Sequence, residues 1–377
     1  EEISLPPLLK NISYGCFDGC SSLKEIIIPS SVREIDHGSF KNCISLIEIN
    51  IPNSVKIIKE QAFCGCTSLE NITIDLFDIE IHKTSFENCP SLKYLVIPEE
   101  TQLSPDMNCN QKIFKTITHI TIPSSITKIS AKAFYGYEIL EEITLPDTLL
   151  SIEDYSFCGC SALKKIMLPE SLTYLGKYAF SRCSSLEQIN IPANIEYIKE
   201  YSFSECTSLT RIEMTNNIKD IEEHSFEKCS KLLDIKLPSE LTTLKEYLFS
   251  KCSSLQHIEL PKTLTTLYPY SFNECTSLSS IELPTSITTI SEYSFSKCSN
   301  LSHINLPPTI TTISNNTFEG CTSITEIIIP SSVNSIGRSA FKNCSSLECI
   351  EIPQSISLIN DSTFDGCSSL VKFTFPP

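Results

Sequence analysis

Cysteine and histidine are the side chains of this sequence best able to ligate a metal, act as a nucleophile or carry redox chemistry. Their spacing decides among those uses. The 377 residues include 19 cysteines and 6 histidines. Fourteen cysteines, from Cys20 to Cys367, each follow a phenylalanine by three residues and fall one to a segment, so they form a column. Neighbours in such a column stand about 5 Å apart at their α-carbons, within disulfide reach, but their β-carbons point in parallel and bridge geometry is poor. Structural zinc wants convergent pairs, commonly C-x-x-C. The C-x-C fragments at Cys64 and Cys66 and at Cys158 and Cys160 have no second pair or histidine nearby. The column therefore reads as buried thiols behaving as small hydrophobes. Cys16, Cys64, Cys109, Cys158 and Cys349 lie off it, and Cys349 is expected to face outward. Reduced thiols of this kind leave the redox compartment open.

The histidines are His37, His82, His119, His224, His257 and His303, and none sits in an H-E-x-x-H motif. His257 and His303 occupy one rung two segments apart, flanked by Glu259 and Glu282. Their backbones would be separated by roughly 9.6 Å, too far to share an ion without long reach. No G-x-S-x-G elbow occurs among the many serines. No catalytic constellation, cofactor or metal is expected, so the chain does not read as an enzyme. Its formal charge of −16 and pI near 4.9 repel phosphate backbones, which argues against nucleic acid as a partner. No run of 18 apolar residues offers direct membrane insertion within this stretch.

What positions these side chains is a 23-residue period. Prolines close a short apolar run at Pro6, Pro29 and Pro52 and continue to Pro376, with Asp75 and Thr215 on the two rungs lacking one. Every step has this same length except Pro98 to Pro123, which is longer by two, and the steps make 16 units. In the unit starting at Leu278, Ile281 and Leu283 are two apart and point inward from one strand, with Glu282 outward. Pro284 ends that strand because it cannot donate to a ladder. Ile287 and Ile290 suit a tight turn or a short second extended piece. Phe295 and Cys298, three apart, suit one helical or 3₁₀ turn. One unit cannot bury its own apolar face, whereas stacked units share a core and pair their strands in parallel. The expected fold is α/β: a single solenoid over residues 1–377, some 75 Å long at about 4.8 Å per strand. A parallel sheet would line its concave side, with short strands and helical turns on the convex side.

The pattern L-x-x-I-x-[IL]-P-x-[ST]-[IVL]-x-x-I-x-x-x-[AS]-F-x-x-C-[ST]-[SA] resembles the BspA-like leucine-rich-repeat family, of the Treponema-pallidum type, over essentially the whole chain. That family is known chiefly from surface proteins of anaerobic bacteria and parasitic protists and is associated with adhesion to host or matrix proteins. The resemblance implies a non-catalytic protein-binding module at the cell surface or outside the cell. An intracellular scaffold within a larger assembly is the alternative. The start at Glu1 and the uncapped strand pattern at both ends suggest a piece of a longer natural protein.

An extended concave scaffold is the usual binding face of a solenoid. Positions two and four before each proline rung face it. The candidates there are Tyr94, His119, Lys165, Met167, Arg211, Glu213, Lys236, His257, Glu259, Glu282, His303 and Ile328. They would read a partner's polar surface, or else form a solvated face with cross-strand ion pairs such as Glu213 with Lys236. The repeat breaks at 99–122, which has two extra residues and lacks the ladder phenylalanine and cysteine. A local change of curvature is expected there, as a contact site or a tolerated insertion.

Overall fold

The computed structural model describes residues 2–76, 79–98 and 116–374. They fall into two compact units, Glu1–Ser171 and Leu172–Pro377, each built of coils one repeat long. In the first unit, the longer strands Glu48–Ile51, Asn71–Ile74, Tyr94–Val96, His119–Thr121, Glu142–Thr144 and Lys165–Ile166 form one six-stranded parallel sheet. A second parallel ladder joins Asn11–Ile12, Glu34–Ile35, Ile57–Ile58 and Glu80–Ile81. The second unit repeats the plan. Gln188–Asn190 pairs Arg211–Glu213, Ser280–Glu282 pairs His303–Asn305, and Glu326–Ile328 leads through Cys349–Glu351 to Lys372–Thr374. Partners lie one full repeat apart, and the pairing of Tyr94 with His119 takes up the two extra residues of the irregular repeat. Of that repeat, residues 99–115 and the expected change of curvature lie outside the described residues.

Alternation sets the inside and outside of each strand. Ile49 and Ile51 are buried while Glu48 and Asn50 are exposed. At most of these prolines the chain then turns: the proline carbonyl accepts the N–H three residues on, as in Val32 to Pro29 (3.0 Å) and Ile287 to Pro284 (3.0 Å). Phenylalanine rings fill the far side of the core. Phe17, Phe40, Phe63 and Phe86 stack at 5.1–5.2 Å in the first unit. In the second, the rings from Phe180 to Phe364 stack at 5.5–5.8 Å.

The expectation of helical turns is corrected: no helix occurs among the described residues, and the fold is all-β and not α/β. The three-residue spacing from Phe to Cys is a β-turn, with Cys206 N–H donating to Phe203 O at 3.2 Å. Helix propagation is blocked on either side. Tyr201 and Glu205 have φ of 56° and 62°, and most coils repeat such values two residues before and two after the phenylalanine. Left-handed residues cannot continue a right-handed helix and cost about 1–2 kcal/mol each when they carry a Cβ. Several repeats place glycine at the second of these positions, as at Gly65 (φ 77°), the third residue of its turn, where φ must be positive. In return, alternate N–H groups point along the stack. Tyr201, Phe203 and Glu205 donate to the carbonyls of Glu223, Ser225 and Glu227 in the next coil, at 3.1, 3.0 and 2.8 Å.

The cysteine column is buried at twelve of its fourteen positions, with Cys20 and Cys367 partly exposed, and no described cysteine is in a disulfide. It is more than filler. Most of the thiols donate to the phenylalanine carbonyl of the preceding coil, as in Cys229 to Phe203 (3.2 Å) and Cys298 to Phe272 (3.1 Å). The Phe203 carbonyl therefore accepts both Cys206 N–H and the Cys229 thiol. Burial pushes these thiols up, Cys298 to about 12 from 9.0 and Cys89 to about 11.

Two outcomes follow from this packing. Phe249→Ala, deleting a fully buried ring between Phe226 and Phe272, is expected to cost about 3–5 kcal/mol, read as a lowered urea midpoint by circular dichroism. The column also makes stability alkali-sensitive. A thiol whose folded pKa is raised keeps its proton in the folded state while the unfolded chain loses it. The stabilisation is complete below pH 9.0 and is lost as pH rises towards about 12. The urea midpoint should hold between about pH 7 and 8.5 and fall above about pH 9, less steeply in Cys298→Ala. Equal slopes in the two proteins would dismiss the thiol as the cause.

Candidate functional site: the open sheet face and a turn-side aromatic column

The twelve candidate residues stand on the outward positions of the longer strands or just beyond them. Eleven are exposed and His119 is half-buried. In the first unit, Tyr94, His119, Glu142 and Lys165 are lateral neighbours on four successive strands. The Tyr94 and His119 rings lie 4.8 Å apart at 37°. Thr118 Oγ1 holds His119 Nδ1 at 2.8 Å, and Nε2 faces a Glu142 carboxylate oxygen at 3.8 Å. Met167, 64% exposed, and Val96 add apolar surface to the same face. This is a small aromatic and apolar platform with a fixed imidazole, the composition that anchors protein contacts.

In the second unit the face carries Arg211, Glu213, Lys236, His257, Glu259, Glu282, His303 and Ile328. Arg211 engages Glu213 of its own strand at 2.7 Å. The expected Glu213–Lys236 ion pair is not what forms, because two outward residues of one strand already lie within reach of each other. Lys236 bridges to Glu259 through the backbone. His303 neighbours Ser280, and Glu282 neighbours Asn305. Ile328 neighbours Glu351. Cys349 is half-buried, not freely exposed. Among the described residues no three His, Cys, Asp or Glu side chains converge as a metal site would require.

The turns carry an arrangement that the strand reading does not reach. Tyr178, Tyr201, His224, Tyr247, Tyr270 and Tyr293 stack face to face in the second unit, with centroids 4.3–4.6 Å apart and planes within 10°. All six have φ between 55° and 59°. They occupy the left-handed position two before each phenylalanine, so their recurrence once per repeat was the available signal. His224 Nδ1 lies 2.8 Å from Glu227, in a chain of contacts in which Lys228 and Arg182 also hold Glu205, at 2.8 and 3.2 Å. The hydrogen bond from Lys228 holds the Glu205 carboxyl below its ordinary range, helped by the charges of Lys228 and Arg182. Burial pushes the Tyr270 hydroxyl up to about 12. Because the ring faces are spent on each other, this column presents edges to solvent and acts as a brace. In the first unit Glu60 lies between His37 and His82, 3.8 Å from each. Its own backbone N–H, and then those imidazoles, hold its carboxyl low.

The family model described as "BspA type Leucine rich repeat region (6 copies)" matches residues 1–115, 108–233, 221–348 and 290–377. Among solved structures, a leucine-rich repeat protein from Bacteroides ovatus is 28% identical, with a TM-score of 0.56, covering 100% of this chain and 92% of that one. A leucine-rich cell surface protein from Faecalibacterium prausnitzii is 24% identical, with a TM-score of 0.36 and coverage of 100% and 88%. The T. pallidum leucine-rich repeat protein is 22% identical, with a TM-score of 0.32 and coverage of 61% and 78%. No curated protein sequence matches. Among the described residues no helix is long and apolar enough to cross a membrane.

His224→Ala, which removes two stacked contacts, is expected to cost about 1–3 kcal/mol and to raise hydrogen exchange in the turns around Tyr201 and Tyr247. His224→Phe should restore most of that protection, since it keeps the stack and loses only the Glu227 contact.

Proposed function

The chain belongs to the BspA-type leucine-rich-repeat family, and from that premise we propose that it is a non-catalytic module that binds proteins. In this reading it works at the cell surface, as an adhesin or recognition protein for host or matrix proteins, through the open face of its longer strands. The observation that carries the reading is the state of that face. Eleven of twelve candidate side chains are exposed there, on a backbone whose described coils are pinned to one another by hydrogen bonds. A face held rigid by the stack loses little conformational freedom when a partner docks, which favours binding. The mixture along it of aromatic, apolar and charged groups of both signs is that of a recognition surface. The placement at the cell surface rests on the association of the family with surfaces and adhesion.

The test measures binding of the purified protein to intact host cells and to decellularised host matrix. Two variants accompany it, Arg211→Glu with Lys236→Glu, and Tyr94→Ala with Met167→Ala. Binding weakened by about tenfold or more in either variant, the scale of a lost hot spot, supports the proposal. Saturable binding unchanged in both removes the sheet face from it. Failure to bind host material, with specific capture of the organism's own assembly proteins, would favour an intracellular scaffold.

A further inference from the structure

The tripeptide Glu-Ile-Ile forms a strand once in each unit, as Glu25–Ile27 and as Glu326–Ile328. The central isoleucine is buried in both, and the outer one stands clear of the sheet: Ile27 is 64% exposed and Ile328 78%. A single exposed aliphatic residue is ordinary. These two sit in troughs. The one at Ile27 encloses about 820 Å³, and its charged walls are Glu25 and Glu48. The one at Ile328 encloses about 670 Å³, and its charged walls are Glu326, Glu351 and Lys372. Proline closes both, at Pro52 and Pro353. Ile328 is the direct lateral neighbour of Glu351. In both troughs a glutamate precedes the uncovered isoleucine by two residues on the same strand, and a second glutamate stands on the next strand, one repeat on from Glu25 in the first trough and beside Ile328 in the second.

We infer that these two troughs are docking sites for an extended segment of a partner protein that carries an aliphatic or aromatic side chain with a basic one two residues away. The inference rests on the protein-binding reading and names the chemistry of the partner. The charge of the occupant follows from the walls, since carboxylates outnumber ammonium groups in both. A second copy of this chain, at a formal charge of −16, is repelled, as are nucleic acids and anionic lipid. The spacing of the occupant follows from the strand. Glu and Ile two residues apart on one face lie roughly 6.6 Å from each other, the same repeat that an extended peptide presents on one of its own faces. An apolar side chain therefore covers the isoleucine while a basic neighbour two residues away, on either side according to the direction of the segment, meets the same-strand glutamate.

The probes are fluorescein-labelled heptapeptides Gly-Arg-Ser-X-Ser-Lys-Gly, with X as Leu, Ile, Val or Phe, read by anisotropy and by calorimetric stoichiometry. A serine-centred peptide and one with glutamate for both basic residues serve as controls. At least one of the four should bind at two sites, and more weakly as salt rises. Ile27→Ser and Ile328→Ser should each remove one site, and the double variant should weaken binding by about tenfold or more, with an unchanged circular dichroism spectrum. The inference is overturned if none of the four binds, if the double variant binds as the parent does, or if the serine-centred peptide binds equally well, since charge alone would then be at work. Its failure and that of the broader reading can be told apart. Lost peptide binding with retained, face-dependent host binding removes only the troughs. Two-site peptide binding without host binding keeps the troughs and removes the adhesin role.

Discussion

A backbone amide that points along the stack of coils has to find its acceptor one full coil away, and nearly everything else in the molecule depends on that lateral bond. In strands the requirement is met without cost, because a parallel ladder supplies it. In the turns it is met by left-handed residues, which rotate alternate amides out of the coil so that Phe203 reaches Ser225 and Glu205 reaches Glu227. A helix would have satisfied those amides within its own coil and left nothing to bind the next. The structure accepts a conformational cost at Tyr201 and Glu205 in exchange for cohesion between repeats.

Once the register is fixed, identical side chains are superposed and must tolerate their own kind. Phenylalanine does so by offset stacking. Cysteine does so because its small thiol donates to the carbonyl below. Serine just before the phenylalanine does so by a hydroxyl that donates a hydrogen bond shared between its own coil and the preceding one, as Ser225 does to the carbonyls of Glu222 (2.6 Å) and Lys199 (3.1 Å). Charged residues gain nothing from stacking on their own kind, and several instead meet the opposite sign one coil on, as in Lys177 with Glu200 and Lys199 with Glu222. Half-exposed pairs of that kind contribute only about 0–1 kcal/mol each. Their main effect is to avoid repulsion, and cohesion rests on the buried columns.

The period, the strand positions and the outward set of residues were legible in the sequence because each rests on simple spacing: alternation for strands, one repeat for lateral pairing. The turn segment was not. Phe and Cys three apart fit a helical turn and a β-turn equally well. What separates the two is a φ value, and Tyr201 or Lys228 gives little sign of a left-handed backbone where glycine would have announced it. The aromatic column escaped for the same reason, since Tyr247 and Tyr270 look like scattered surface residues until those turns are superposed. The Arg211–Glu213 pair shows a further limit. Both partners were visible, but choosing between a same-strand and a cross-strand contact needs side-chain geometry.

The same constraint indicates where information about a partner can reside. Positions that pack on their own copies are nearly invariant from coil to coil, because the stack dictates them: phenylalanine, cysteine and the inward isoleucines and leucines. The outward strand positions take no part in the buried columns, and there the residue changes at nearly every step. One row runs Tyr94, His119, Glu142, Lys165 in the first unit, and another runs Ile328, Glu351, Thr374 in the second. Lateral packing does not require that variety, and a face that served only to be solvated could have been uniformly polar. Instead it sets Tyr94, Met167, Ile27 and Ile328 in water, at positions where polar residues would be less costly to expose. Uncovered apolar groups held in fixed register on an otherwise self-satisfied lattice are what the proposed partner would cover.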